Sequence, residues 1–440
     1  MRILYFILFI TLKYALRIYY PRMKSVHTPK GFFGRTIYVS NHAAAFMDPL
    51  VVASFRSPIV FFMTRSDIFT KLTKPILWAA HMLPIYRQQD GVDTKDENKK
   101  VFDTCARILN FGRNLLIFGE GFTDDVFIRR LKPLKKGAVR IGFYSLEKIN
   151  WKKKIYIAAV GCNYSDPNLI GSDFLISTSK RICLNDYKTA YLENPNKVIT
   201  DLTKLVEQLL IDQITHIEDK NNSNFHENVM KITRKGMNAL HSNTKTPLVT
   251  RWQYSQKLAN WFNQESAEKM EELASLKDGL ERYFSLLNKL RVNENYVFHV
   301  QHNKKIARSK ELLAILTLTP FAILGVLHCG LIYFVVKRFV EKTFKRRVFW
   351  GSVKLIMGMI AMGIVNIPVI FVFTNYIYPS YLFAFLYYSL IGLFGLAAYY
   401  WWRNFTVFKE KGVVQRMDLS GVIAKRKALL EQINREIPVA

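Results

Sequence analysis

The sequence predicts an α/β domain built on a central mixed sheet with helices, then a helical insert, then a C-terminal α-helical membrane region. Three observations carry this prediction. Short apolar runs bounded by turn residues or charge alternate with helical periodicity through the first 200 residues. Further on, residues 312–336, 353–374 and 381–402 are apolar, almost free of charge and long enough to cross a hydrocarbon core of about 30 Å. Half of the 440 residues are hydrophobic and 14% are aromatic, which is too apolar for a disordered chain and leaves room for two or three structural units. The expected segments are 1–20, an N-terminal helix; 21–200, the α/β domain; 201–311, the insert; 312–402, the membrane region; and 403–440, a basic tail.

Charge narrows the partners. Lys and Arg number 63 against 34 Asp and Glu, and a net +29 suits anionic phospholipid headgroups or nucleic acid. A nucleic-acid binder would need a basic face with interleaved aromatics, whereas Lys304, Lys305, Lys337, Arg338, Lys345, Arg346, Arg347, Arg403, Lys409 and Lys411 bracket apolar spans. A phospholipid membrane is therefore the expected partner, with no nucleic acid. The four cysteines have no paired spacing, so neither a disulfide framework nor a metal site is expected. An apolar run over residues 3–10 is followed by Lys13 and Arg17, and no small-residue cleavage site comes after it. It reads as an amphipathic helix lying in the membrane interface, with a tilted span as the alternative.

Taken in order, the runs 36–40, 58–63, 114–118, 155–160 and 174–177 read as buried strands. Thr94 and Glu97 form a capping box ahead of a helix whose buried stripe is Val101, Phe102, Cys105, Ile108 and Leu109. In the insert, 202–217 and 265–290 read as polar helices, and Asn221 to Asn224 as a loop and mobile joint. The segment 375–380 carries no charge, so the positive-inside rule makes 353–402 a hairpin with that turn outside. Residues 312–336 are basic at both ends and are expected to re-enter around Pro320 and Gly325, a short broken double pass being the alternative.

Sites in such sheets gather at strand ends, where His42, Arg87 and Glu120 stand. His42 follows the first buried strand and Asp48 comes six positions later. A neutral imidazole can take a proton from an alcohol when a carboxylate holds its other nitrogen. Asp48 followed by Pro49 also reads as a helix cap and first helical position. The fork of Arg87 suits a phosphate, although a solvated surface arginine reads the same way; Arg65 is a lesser candidate. Gly119-Glu120-Gly121 lets backbone approach a ligand while one carboxylate projects toward polyol hydroxyls. Lys135, near Gly137 at a helix start, can meet an anion.

These stretches resemble, in order, the sequence blocks of the glycerolipid acyltransferases, the glycerol-3-phosphate and 1-acylglycerol-3-phosphate acyltransferase superfamily. The matching residues are Asn41-His42 with Asp48-Pro49, Ile85-Tyr86-Arg87, Phe118-Gly119-Glu120-Gly121, the run from Leu131 to Gly137, and Val160-Gly161-Cys162-Asn163-Tyr164. Five residues between His42 and Asp48, where four are usual, are similar to the dual glycerol-3-phosphate/dihydroxyacetone-phosphate acyltransferase branch. Gly119 replaces the family's proline, Asp124 stands at a histidine position, and Ile170-Gly171-Ser172 lacks a basic residue. The resemblance implies a membrane-bound O-acyltransferase with an α/β acyltransferase domain. In it His42 is the general base and Asp48 orients it. Arg87, Glu120 and Gly121 hold a glycerol phosphate, Thr123 stands at the family's hydroxyl position, Lys135 assists, and the last block lines the acyl pocket. The donor is an acyl thioester, acyl-CoA or acyl carrier protein, used as co-substrate with no bound cofactor. Because such donors are cytosolic, the domain is expected on the cytosolic side of an integral membrane protein. A lysophospholipid acyltransferase shares these motifs; a non-catalytic membrane scaffold would leave His42 and Asp48 dispensable.

Overall fold

The run Thr36–Ser40 is buried at every position because it lies inside the sheet, flanked by strands on both sides. The computed structural model describes residues 2–27, 34–55, 60–71, 73–86, 94–238 and 246–439. Its strands are β1 (Arg22–Val26), β2 (Thr36–Ser40), β3 (Val60–Arg65), β4 (Met82–Ile85), β5 (Asn114–Phe118), β6 (Tyr156–Tyr164), β7 (Asp173–Thr178) and β8 (Ile182–Cys183). They form one mixed sheet in the order β1-β7-β6-β2-β5-β3-β4, with β8 on β6. β6, β2, β5, β3 and β4 run parallel, so their C-terminal ends share one edge; β7 and β8 oppose β6.

Among the described residues up to Gln264 the helices are α1 (Arg2–Tyr19), α2 (Met47–Phe55), α3 (Lys74–Ala79), α4 (Thr94–Asn110), α5 (Gly137–Lys148), α6 (Lys188–Glu193), α7 (Pro195–Ile211), α8 (Ser223–Thr233) and α9 (Leu248–Gln264). The stripe Val101, Cys105, Ile108 and Leu109 of α4 is buried with Ile37, Val39, Leu115 and Ile117 of the sheet, and Phe102 packs half-buried against them. Alternation along each strand turns Phe62 and Met82 to the opposite face, where α1 and α2 cover them.

Several boundaries differ from expectation for local reasons. β1 was not foreseen: Arg22 and Lys24 hide an edge strand that joins only by pairing with β7. β3 runs to Arg65, while residues 56–59, the start of the expected 58–63 strand, lie outside the described residues, as do the side chains of Thr94 and Glu97. The helix expected at 202–217 is α7, which starts earlier. Pro195 sets its first position and the Asn194 side chain accepts the Lys197 N–H. The expected joint at Asn221 to Asn224 is a 3₁₀ turn capped by Asp219, and α8 starts at Ser223. The expected helix 265–290 is broken: Ser266 caps α10 (Ala267–Glu272), and α11 (Ala274–Leu290) follows.

The chain forms two compact units, one of Met1–His226 with Lys235–Glu265, the other of Glu227–Arg234 with Ser266–Ala440, so the region 201–311 is divided between them. In the second unit come α12 (Glu294–Gln301), α13 (Ser309–Gly325), a π turn Val326–Gly330, α14 (Leu331–Thr343), α15 (Trp350–Val365), α16 (Pro368–Tyr376), α17 (Tyr381–Val414) and α18 (Ser420–Glu436). A buried cluster ties α18 to α12: Arg426 donates to Glu294 at 2.6 Å, to Gln301 at 2.8 Å and to the Ile232 carbonyl at 2.8 Å.

Among the described residues three helical stretches, Ser309–Thr343, Arg347–Tyr376 and Tyr381–Val414, are by length and composition apolar enough to cross a membrane, consistent with an integral membrane protein. The first does not re-enter at Pro320 and Gly325. Pro320 lies within α13, and the helix continues through the π turn into α14. Gly325 serves close packing and not a bend, since a Cβ there would sit 2.0 Å from the Phe394 carbonyl oxygen of α17. The return comes in the second stretch. α17 runs antiparallel to the long helix, with Lys411 on Glu311, Trp401 on Thr319 and Cys329 on Ile391. α15 is also antiparallel to it, with Lys354 on Glu341 and Asn366 on the His328 carbonyl. Two segments that run the same way need a reversal between them. That reversal is the break at Asn366–Ile367 followed by α16, so 353–402 is not the simple hairpin expected.

Candidate active site

The site grows from the exit of β2. Asn41 prolongs the β2–β6 pairing by one step: its Oδ1 accepts the Cys162 N–H at 2.8 Å and its Nδ2 donates to the Cys162 carbonyl at 3.0 Å. The chain then turns sharply, with Ala45 at φ 49° and the Met47 N–H donating to the Ala44 carbonyl at 3.0 Å. Ala45 in this left-handed conformation absorbs the fifth residue of the spacing, and Asp48 enters the first turn of α2 facing back toward His42. The cap reading gives way, because the carboxylate bonds behind the helix. Asp48 Oδ2 accepts the His42 Nδ1–H at 3.1 Å and the Ala44 N–H at 2.9 Å, while Oδ1 accepts the Tyr164 hydroxyl at 2.8 Å.

Asp48 is fully buried and the His42 side chain is 22% exposed. The imidazole stacks on Phe118, ring centroids 4.4 Å apart. With Nδ1 committed to Asp48, Nε2 is the nitrogen left for an incoming proton. Among the described residues no Lys or Arg pairs with Asp48, so hydrogen bonds hold its charge.

Glu120, just past β5, is turned inward. Its Oε1 accepts the His42 N–H at 2.5 Å and its Oε2 the Lys132 N–H at 3.0 Å, and it is 3% exposed. Burial raises its pKa and the two N–H bonds oppose that rise. The carboxylate expected to project toward polyol hydroxyls thus ties the β2–α2 connection to the far part of its own β5–α5 connection at the sheet edge. Gly121 has φ +77°, and a Cβ there would meet Lys135 Nζ at 3.0 Å, so the lysine lies across the glycine. Thr123 is buried; Lys132 reaches Asp124 at 3.1 Å and stands 4.0 Å over the Phe122 ring. Arg87 lies outside the described residues, as does the Arg65 side chain.

The structure therefore joins His42, Asp48 and Glu120 through hydrogen bonds and sets Lys135 beside Gly121. Two contributors were not recognised in the sequence. Asn41 and Tyr164 stand in the first and last blocks with no role of their own legible there; the Asn163-Tyr164 pair closing β6 is the available signal for the second. An apolar cleft runs between α1 and α2, lined by Tyr5, Leu8, Phe9 and Leu12 on one side and Pro49 and Leu50 on the other. No curated protein matches the chain. Residues 25–162, which hold β2, the His42–Asp48 turn, β5 and most of β6, match the family model described as Acyltransferase, so an acyltransferase family domain lies in this stretch.

Proposed function

We propose that the protein is a membrane-bound acyltransferase that moves a fatty acyl group from an acyl thioester to a hydroxyl of glycerol-3-phosphate or a related acceptor. The observation that carries this reading is the His42–Asp48 pair with Nδ1 engaged at 3.1 Å, inside a stretch that matches an acyltransferase family. Nε2 takes the acceptor hydroxyl proton as its oxygen attacks the thioester carbonyl carbon. Asp48 stabilises the imidazolium that forms. When the carbon–sulfur bond breaks, that proton passes to the thiolate, and the products are an ester and a free thiol. The buried carboxylate keeps the imidazole in the tautomer this needs.

Lys135, beside Gly121, and Arg87, through its resemblance to the family's phosphate-binding arginine, hold the acceptor phosphate. Glu120 contributes by holding the His42 backbone. The cleft behind Pro49 and Leu50 suits the acyl chain, since it is apolar and starts one residue past Asp48. With cytosolic acyl-CoA or acyl carrier protein as donor, the domain faces the cytosol. The test is purified protein assayed with both donors against glycerol-3-phosphate, dihydroxyacetone phosphate and lysophospholipids, alongside His42→Ala. The variant is expected to lose about 10²–10⁴-fold in rate while remaining in the membrane fraction. Transfer at the parent rate would overturn the mechanism.

A further inference from the structure

We infer that Tyr164 is a positioning residue for acyl transfer: its hydroxyl fixes the buried carboxylate of Asp48 and so completes a three-member relay, His42–Asp48–Tyr164. The inference rests on the proposed role of His42 as base and names a residue that the role itself does not supply. The geometry leaves Asp48 Oδ1 one hydrogen-bond partner, the Tyr164 hydroxyl at 2.8 Å, among the described residues. Tyr164 and Asp48 are both 0% exposed, so water cannot replace that bond. Around the carboxylate stand His42 from the end of β2, Tyr164 and Cys162 from β6, and Tyr20 just past α1. None of them brings a formal positive charge while His42 is neutral.

The Tyr164 ring is itself locked, 5.1 Å from Phe174, 5.7 Å from Tyr20 and 6.2 Å from Phe127 between centroids. Its hydroxyl therefore has a defined position. Burial and the neighbouring Asp48 hold the phenol pKa well above its ordinary value, so Tyr164 stays a proton donor throughout the working range. Without that donor, Oδ1 would be an unsatisfied anion in an aromatic cage. That carboxylate would carry its charge with one donor fewer and lie less firmly against the imidazole of His42.

The experiment compares Tyr164→Phe with Tyr20→Phe and His42→Ala in the full-length protein, measuring kcat, both KM values and the pH dependence of kcat. Tyr20 is as buried as Tyr164, but its hydroxyl donates to the Pro167 carbonyl at 3.1 Å, so its phenylalanine variant makes the same change of size while leaving every hydrogen bond to Asp48 in place. Tyr164→Phe is expected to lower kcat roughly 10–100-fold, about what the loss of one hydrogen bond to a charged group costs. Both KM values should hold and the acid limb of the profile should move to higher pH. Tyr20→Phe should stay near the parent. Should Tyr164→Phe fold poorly, a fluorinated tyrosine at 164, a stronger donor of the same shape, is expected to move the acid limb to lower pH. An unmoved acid limb in either Tyr164 substitution, or equal losses in both phenylalanine variants, overturns the assignment. If His42→Ala retains activity, the proposed mechanism falls; if it is inactive while Tyr164→Phe matches the parent, only the Tyr164 role falls.

Discussion

One residue more than the usual spacing separates His42 from Asp48, and Ala45 is where it goes. A left-handed alanine costs roughly 1–2 kcal/mol, and here it directs a carboxylate back along the chain and not forward into its helix. Gly121 meets a related constraint on the other side of the site. Its φ of +77° disfavours any side chain, and Lys135 Nζ lies 3.0 Å from where a Cβ would stand. Gly121→Ala should therefore lower stability by about 1–2 kcal/mol and push Lys135 aside. If the lysine holds the acceptor phosphate, acceptor KM should rise clearly more than thioester KM. Denaturant midpoints and the two KM values check this, and equal KM changes would make Lys135 a structural residue.

At the scale of elements, α1 is held to the sheet partly through an aromatic stack. His81, in the turn between α3 and β4, lies between Tyr5 of α1 and Phe61 of β3, with centroids 4.4 Å from each. Burial, helped by the charge of Arg113, lowers its pKa to about 4. The unfolded chain binds a proton near the ordinary value of about 6.5, whereas the folded chain does so only near 4. Stability from this histidine is therefore full above about pH 6.5 and is lost as pH falls toward 4. His81→Asn, which tolerates the left-handed φ of 60° and does not titrate, should flatten the fall of the thermal unfolding midpoint across that window. An undiminished slope would assign the acid sensitivity to other groups. On the outer side of α1, Phe6, Ile7, Ile10 and Tyr14 are exposed beside Lys13.

For the molecule as a whole, pairing among the apolar helices decides connectivity in a way that charge could not. The helix Ser309–Thr343 spans roughly 50 Å at about 1.5 Å per residue, so Lys304 and Thr343 lie beyond opposite ends of an apolar band. Basic residues stand at both ends, and the positive-inside rule then favours neither. Because α15 and α17 run the same way, Thr343 and Tyr376 belong to one end and Lys304 to the other. Single cysteines at Thr343 and Tyr376, in a background without Cys105, Cys162, Cys183 and Cys329, should react with an impermeant thiol reagent from the same side of a sealed membrane. One at Lys304 should react from the opposite side. Labelling of Thr343 and Lys304 from a common side would restore the re-entrant reading of 312–336.

The amino-acid order alone determined the central strands, the α4 stripe, the apolar stretches and the place of His42 and Glu120 at strand ends. Each follows from local periodicity or from a short run buried on both sides, which needs no knowledge of distant residues. Tertiary structure decided what those residues do to one another. Glu120 faces inward because two backbone N–H groups from separate loops claim its oxygens. Tyr164 reaches Asp48 across 116 positions because β6 lies beside β2, and nothing in their separate neighbourhoods encodes that meeting. The edge strand β1 and the return at Asn366–Ile367 were hidden for the same reason. A strand exists only when paired, and a helix's direction through a bundle is set by the helices it packs against, neither of which a local pattern contains.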